Sequence, residues 1–339
     1  ALVLSVPLAF FSGLGAGSKR GILFKGGISL EAMRNIKVLV MDKTGTITKG
    51  NFVLQEVRPS GDMDINTLLR LCASCESAST HPIAHSIVTA AQNKGLPLTA
   101  PDSVEEFAGK GILARLPEGE MLCGNRKLME QFHISMDQAH GNGYGTEIFA
   151  ALNGTYTGHL VISDTIKEEA ASAIRQIKSK GITTAMLTGD AADSASAVAK
   201  ATGIDEVHAR LLPQEKLSEL QKIREKHGEV MFVGDGINDA PVLAGADVGA
   251  AMGSGADAAI EAADVVFMTS SMSAIPQAFS ISRAASRVAR ENVIFALIIK
   301  ALVMILGLLG FANMWMAVFA DTGVAMLCVL NSIRILYKH

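Results

Sequence analysis

Val38 to Met41 is an unbroken apolar run between Lys37 and Asp42, the pattern of a strand buried on both faces. Similar short runs recur much later. "GITTAMLTGD" predicts a strand ending at Thr188, "GEVMFVGDGINDA" one ending at Gly234, and "DVGAAMG" another. Between them, residues 167–180, 192–202 and 214–227 read as helices. Strands alternating with helices predict a parallel sheet with right-handed crossovers, in which ligands gather at the carboxyl ends of the strands. Asp42, Thr188 and Asp235 all fall at such ends. Residues 50–158 interrupt the alternation with helices and short strands of their own and read as an insert after the first strand. Two apolar blocks close the chain, Val293 to Ala312 and Trp315 to Tyr337, each near the ~20 residues that span a bilayer. Each holds one deep charge, Lys300 and Asp321. Arg283, Arg287 and Arg290 precede the first block, and Arg334 and Lys338 end the second. Basic outer ends joined by a short uncharged turn predict a helical hairpin with both ends cytoplasmic.

The expected division is therefore 1–17 as the end of a transmembrane helix, 18–49 with 159–289 as a discontinuous α/β domain, 50–158 as an inserted α+β domain, and 290–339 as the hairpin. The opening "ALVLSVPLAFFSGLGAG" lacks the basic start of a signal peptide, so the chain is read as a fragment of a longer protein. Mean hydropathy is +0.31 and 49% of residues are apolar, high for a wholly soluble chain. The net charge of −3 lacks the basic surplus of a nucleic-acid binder, so no nucleic-acid partner is expected. Cys72, Cys75, Cys123 and Cys328 form no disulfide framework, and Cys72 and Cys75 read as small buried positions on a helix.

The strand ends carry chemistry. Asp42 opens "DKTGT", and an accessible carboxylate there can attack a phosphoryl group. Gly45 permits a tight turn whose N–H groups can cradle phosphate. Thr188 in "TGD" offers a hydroxyl, and Lys216 near a helix start offers a positive charge. Asp235 and Asp239 in "GDGINDAP" offer hard oxygen ligands for Mg²⁺, which neutralises charge in phosphoryl transfer.

On these motifs the sequence resembles the P-type ATPases, members of the haloacid-dehalogenase-like superfamily, over essentially its whole length. The resemblance implies a haloacid-dehalogenase-like (Rossmann-like) α/β phosphorylation domain with an inserted α+β nucleotide-binding domain, plus α-helical transmembrane segments. It implies that Asp42 is phosphorylated by ATP, that Thr188 and Lys216 contact the transferred group, and that Thr44, Gly189 and Asp190 are among the cofactor-binding residues. Thr44 and Asp235 would hold Mg²⁺ with Asp42, and Asp239 close by. Many hydrolytic relatives carry an Asp where Thr44 stands; without that base the phosphoenzyme should persist. The family dephosphorylates through the Thr-Gly-Glu loop of an actuator domain. No such tripeptide occurs here, so that domain of the parent chain is an expected partner.

In the insert, "ESASTHPIAHSIV", "GKGI" and a Gly-Asn pair resemble the nucleotide-binding domain of the heavy-metal branch. Glu76 and His81 would orient adenine, with Gly109, Gly111, Gly124 and Asn125 lining the pocket; His85 reads as structural. Asn292, Lys300 and Asp321-Thr322-Gly323 resemble the zinc/cadmium/lead exporters, whereas the Tyr-Asn and Met with paired serines of the copper branch are absent. Asp321 would ligate the transported Zn²⁺, Cd²⁺ or Pb²⁺, with Lys300 as its built-in counter-ion. The expected site is a cell membrane, multi-pass, with cytosolic catalytic domains. The alternatives weighed are a soluble phosphatase of the same superfamily and a copper-type ATPase.

Overall fold

The structure, a computed structural model, describes residues 2–136, 145–236, 239–253, 255–311 and 313–338. Ile237 and Asn238 of the "GDGINDAP" run, and Ala312 at the end of the first apolar block, lie outside them. The chain divides into two compact units, one made of residues 1–47 and 167–339, the other of Thr48–Ile166.

Along the chain, α1 (Leu2–Ser18) leads into β1 (Ile22–Phe24), α2 (Gly27–Ala32) and β2 (Val38–Asp42). All of β2 is buried, as its unbroken apolar run requires. The chain then builds the second unit from β3 (Thr48–Pro59), α3 (Ile65–Glu76), α4 (Pro82–Asn93), β4 (Ser103–Phe107), β5 (Gly111–Leu116), β6 (Gly119–Gly124), α5 (Arg126–Gln131), β7 (Thr146–Leu152) and β8 (Thr155–Ile166). Its strands form one antiparallel sheet in the order β3-β8-β7-β6-β5-β4. One face packs on α3 and α4 through Leu68, Leu69, Cys72 and Ile87. The other carries a smaller core around Leu128, Met129 and Phe149. The unit extends past residues 50–158 at both ends because β3 and β8 pair from Thr48↔Ile166 onwards.

On its return the chain forms α6 (Ala170–Lys178), β9 (Thr183–Leu187), α7 (Ala192–Thr202), β10 (Glu206–His208), α8 (Pro213–His227), β11 (Val230–Gly234), α9 (Ala240–Gly245), β12 (Val248–Met252), α10 (Asp257–Ala262) and β13 (Val265–Phe267). The sheet runs β1-β13-β12-β11-β2-β9-β10, parallel except for β1. β2 lies between β11 and β9, so the carboxyl ends of all three strands meet at one edge. Phe232 on β11 is fully buried among Val38, Val40, Leu187 and Leu220.

α11 (Ala274–Leu308) is one unbroken helix of 35 residues, roughly 52 Å long at 1.5 Å per residue. Ala274, Phe279, Ile281 and Ala285 in its first half are buried, while Leu297, Ile298, Leu302, Ile305 and Leu308 stand exposed. α12 (Met314–Val318) and α13 (Val324–Ile333) are joined by a widened, π-type turn at Phe319–Gly323, and α14 (Ile335–Lys338) follows. Ala274–Leu308 and Met314–Tyr337 are each long and apolar enough to cross a membrane. Asn292 ties them together: its amide donates to the Cys328 carbonyl at 3.2 Å and Ser332 Oγ at 3.0 Å, and its Oδ1 accepts from Asn331 at 2.9 Å.

Removing the Phe232 ring should leave a cavity between β2, β9 and α8. Phe232→Ala is expected to cost about 3–5 kcal/mol, read as a lowered thermal midpoint in detergent. Ile28→Ala, at a side chain 85% exposed, should stay within about 0.5 kcal/mol.

Candidate active site

Asp42 ends β2 with its carboxylate 6% exposed. The chain then turns sharply: Thr44 is extended, and Gly45 has φ +71°. The turn aims the Thr44 N–H back at Asp42 Oδ2, at 3.0 Å. Only glycine suits position 45, since a Cβ there would lie 1.5 Å from Asp235 Oδ2 as well as strain the backbone. Asp235 follows β11 and Asp239 precedes α9. Each of Asp42, Asp235 and Asp239 offers an oxygen within 4.8 Å of the others.

Lys216 on the first turn of α8 answers part of this charge. Its Nζ donates to Asp42 Oδ1 at 2.5 Å and to Asp239 Oδ1 at 2.8 Å. Burial and then the Asp239 carboxylate push the Asp42 carboxyl up to about 6, against the pull of the Lys216 ammonium. Asp235 is raised by burial and then by Asp239. Burial pulls the Lys216 ammonium down, but Asp42 and Asp239 outweigh it and hold it above its ordinary value. The carboxyls are thus underneutralised by the protein. A hard divalent cation fits this all-oxygen cluster, and its charge would return Asp42 to the ionised, nucleophilic form.

Thr188, just past β9, is 3% exposed, and its Oγ1 accepts from the Asp190 N–H at 3.1 Å. Gly189 sits beside the Leu211 carbonyl, and the Asp190 carboxylate is engaged by Lys43. Thr44 presents an exposed side chain where a second carboxylate would act as base. Two contributors carried no sequence signal on their own. Lys43 lies inside the DKTGT run and clamps Asp190. Lys167 is buried, donates to the Gly45 carbonyl at 2.7 Å and lowers Asp235 electrostatically. A lone lysine 122 positions away from Gly45 gives no pattern to read.

The second unit has its own pocket of about 300 Å³, lined by Glu76, His81, Gly109, Gly111, Gly124 and Asn125 among others. His81, Asn125, Gly111 and Gly124 each have a local structural task as well. His81 caps α4, its Nδ1 accepting from Ile83 N at 3.2 Å. Asn125 caps α5 and donates to the Gly109 carbonyl at 2.9 Å. Gly111 and Gly124 face each other across β5 and β6, where a Cβ would meet the neighbouring backbone at 2.2 and 2.4 Å. Those two glycines therefore serve strand packing first. The sequence did not single out Glu106, which also lines the pocket. His85 is exposed, with Nδ1 3.4 Å from Thr89 Oγ1. A larger open cleft of about 830 Å³, formed by residues 60–64 and 154–157 with Thr67 and Ser135, holds none of the motif residues. The thiols of Cys72, Cys75 and Cys123 are all buried in the apolar core behind α3.

In the hairpin, Lys300 Nζ lies 3.4 Å from Asp321 Oδ1. Asp321 falls in the π-type turn, a widened geometry that frees a backbone carbonyl from the regular ladder.

Comparisons with known proteins bear on both units. Residues 36–247 match the family model described as haloacid dehalogenase-like hydrolase. The chain is 46% identical over 341 residues to a "Cadmium, zinc and cobalt-transporting ATPase" of Bacillus subtilis (strain 168), covering 99% of this chain and 48% of the relative. It is 44% identical to a "Zinc-transporting ATPase" of Synechocystis sp., covering 98% of this chain and 46% of the relative. The crystal structure of a zinc-transporting PIB-type ATPase in the E2.Pi state superposes with TM-score 0.89 at 33% identity, covering 99% of this chain and 55% of that one. The chain thus spans about half the length of the curated relatives it matches.

Gly45→Ala should displace the Asp235 carboxylate and weaken binding of Mn²⁺, titrated by electron paramagnetic resonance, at least about tenfold. Unaltered Mn²⁺ affinity would contradict the placement of Asp235 against this turn.

Proposed function

The chain belongs to the haloacid dehalogenase-like hydrolases, in their P-type ATPase branch, and on that premise we propose that it transfers the γ-phosphoryl group of ATP to Asp42 and couples that step to export of a soft divalent metal ion. The observation that carries the reading is the meeting of Asp42, Lys216, Asp235 and Asp239 at the ends of β2 and β11.

An ionised Asp42 oxygen attacks the γ-phosphorus in line with the departing ADP oxygen. The P–O bond to ADP breaks, and an acyl phosphate forms on Asp42. Lys216, held between Asp42 and Asp239, is placed to meet the negative charge of the transferred group. Thr188 Oγ1, with Gly189 and Asp190 beside it, offers a further polar contact to the phosphoryl oxygens. Asp42, Asp235, Asp239 and Thr44 would hold Mg²⁺, which supplies charge neutralisation between carboxylate and nucleotide. No second carboxylate stands at position 44 to activate water, so the acyl phosphate outlives the transfer. Its removal is assigned to an actuator domain.

The nucleotide's adenine is assigned to the pocket around Glu76 and His81. The two apolar helices are read as membrane spans, which makes the protein a multi-pass membrane transporter with cytosolic catalytic units. Asp321, with Lys300 at 3.4 Å, is the cation site: the carboxylate ligates the ion, and the ammonium takes its place after release. The activities named for the relatives, cadmium, zinc and cobalt transport and zinc transport, support a divalent cargo of the Zn²⁺ or Cd²⁺ type over copper.

Asp42→Asn should abolish the acid-stable phosphoenzyme formed from radiolabelled ATP, and label persisting in that variant would refute the nucleophile. Lys216→Met should slow phosphoenzyme formation roughly 100- to 1,000-fold. Asp321→Ala should lose Zn²⁺ stimulation of ATP hydrolysis while still binding nucleotide; full stimulation in that variant would move the cation site elsewhere.

A further inference from the structure

The carboxyl of Glu76 is an odd feature of the second unit. It is the last residue of α3, 7% exposed, and lines the 300 Å³ pocket. Among the described residues it has neither a hydrogen-bond donor nor a cation as partner. The charged group that acts on it is another acid, Glu106, which lines the same pocket. Lys110, also on the wall, donates its ammonium to Gln131 Oε1 at 2.7 Å. The arginines of the flanking strands, Arg58 on β3 and Arg115 on β5, pair with Glu56 and Glu120. His81 on α4 spends its Nδ1 on the helix cap, and His159 on β8 hydrogen-bonds Tyr156. The thiols of Cys75 and Cys123 lie behind Glu76 in the apolar core and offer it no positive charge.

A carboxyl so placed is better accommodated uncharged, because burial and a like neighbour both disfavour the anion. Burial first, then Glu106, push it up to about 7. The hydrogen-bonding consequence is specific. A neutral carboxylic acid presents one O–H donor beside one C=O acceptor, whereas a carboxylate presents two acceptors. Adenine offers an amino donor at N6 next to the N1 acceptor. Guanine offers two adjacent donors, N1–H and N2–H. The neutral acid therefore matches adenine, and with its proton on the other oxygen also the O6 and N1–H of guanine, whereas the anion matches guanine alone.

We propose that Glu76 recognises adenine as its neutral acid, donating to N1 and accepting from N6, so that its protonation admits ATP and its ionisation shifts the preference towards GTP. The inference rests on the nucleotide occupying this pocket, and it makes Glu76 a specificity-determining residue whose selectivity changes with pH.

The test uses the full chain in detergent and two non-hydrolysable probes, the β,γ-methylene analogues of ATP and GTP. The quantity read is the ratio of their affinities, in which titration of the shared triphosphate cancels. Between pH 6 and pH 8 the neutral fraction of Glu76 falls about tenfold, so the adenine-to-guanine ratio should fall by about tenfold or more. Glu76→Gln keeps a donor and an acceptor at every pH, so its ratio should stay flat. A ratio independent of pH in the unmodified chain, or a slope that survives in Glu76→Gln, overturns the proposal. Glu76→Ala separates the two levels. If it weakens the adenine analogue while the unmodified ratio is flat, the pocket stands and the protonation argument falls. If it leaves both affinities unchanged, the pocket assignment falls and takes the proposal with it.

Discussion

Three carboxylates, those of Asp42, Asp235 and Asp239, are held with oxygens within 4.8 Å of one another, and nothing in water would bring them together. Their mutual repulsion and loss of hydration are borne by the surrounding fold. β2 and β11 are apolar and wholly buried, so their ends are fixed where the sheet puts them. Lys216 bridges two of the three acids and Lys167 anchors the turn carrying Gly45. Charge remains uncompensated even so, as the raised Asp42 carboxyl records. That residue of negative charge is what makes the site receptive to a metal ion and, through it, to a nucleotide phosphate.

The same logic of uncompensated charge recurs in weaker forms. Among the described residues Glu76 has no donor in its pocket, and burial and Glu106 raise its carboxyl. In the hairpin Asp321 is given a partner instead, Lys300 at 3.4 Å. Asp42 and Glu76 call on one principle, that burial and a neighbouring acid together set the chemistry of a carboxyl.

Much of this was legible in the sequence where the residues involved are neighbours in the chain. The runs behind β2, β9, β11 and β12 are unbroken apolar stretches, and α7 occupies residues 192–202 as its periodicity predicts. α8 begins one residue earlier than the pattern suggested because Pro213 takes the first helical position, where its missing N–H costs nothing. The strands β1, β10 and β13 are three residues each, too short to leave a periodic trace. The composition turns apolar after Arg290, yet the backbone of α11 runs through that change unbroken. Site members separated by long stretches were the hardest to foresee. Lys167 and Glu106 carry no motif, and only the folded chain brings them to Gly45 and Glu76. The glycines at 111 and 124 line the pocket, and the facing strands need them as well.

The central claim is that the Asp42 oxygen is the atom that bonds to phosphorus, in a cradle formed by Lys216, Thr188 and the acid cluster. A crystal structure of the chain grown with Mg²⁺ and beryllium trifluoride, which mimics an acyl phosphate by bonding to a carboxylate oxygen, addresses it directly. The account predicts beryllium on Asp42, fluorines facing Lys216 and Thr188, and the cation against Asp235. Trifluoride bound elsewhere, with the Asp42 carboxylate still bonded to Lys216, would contradict it.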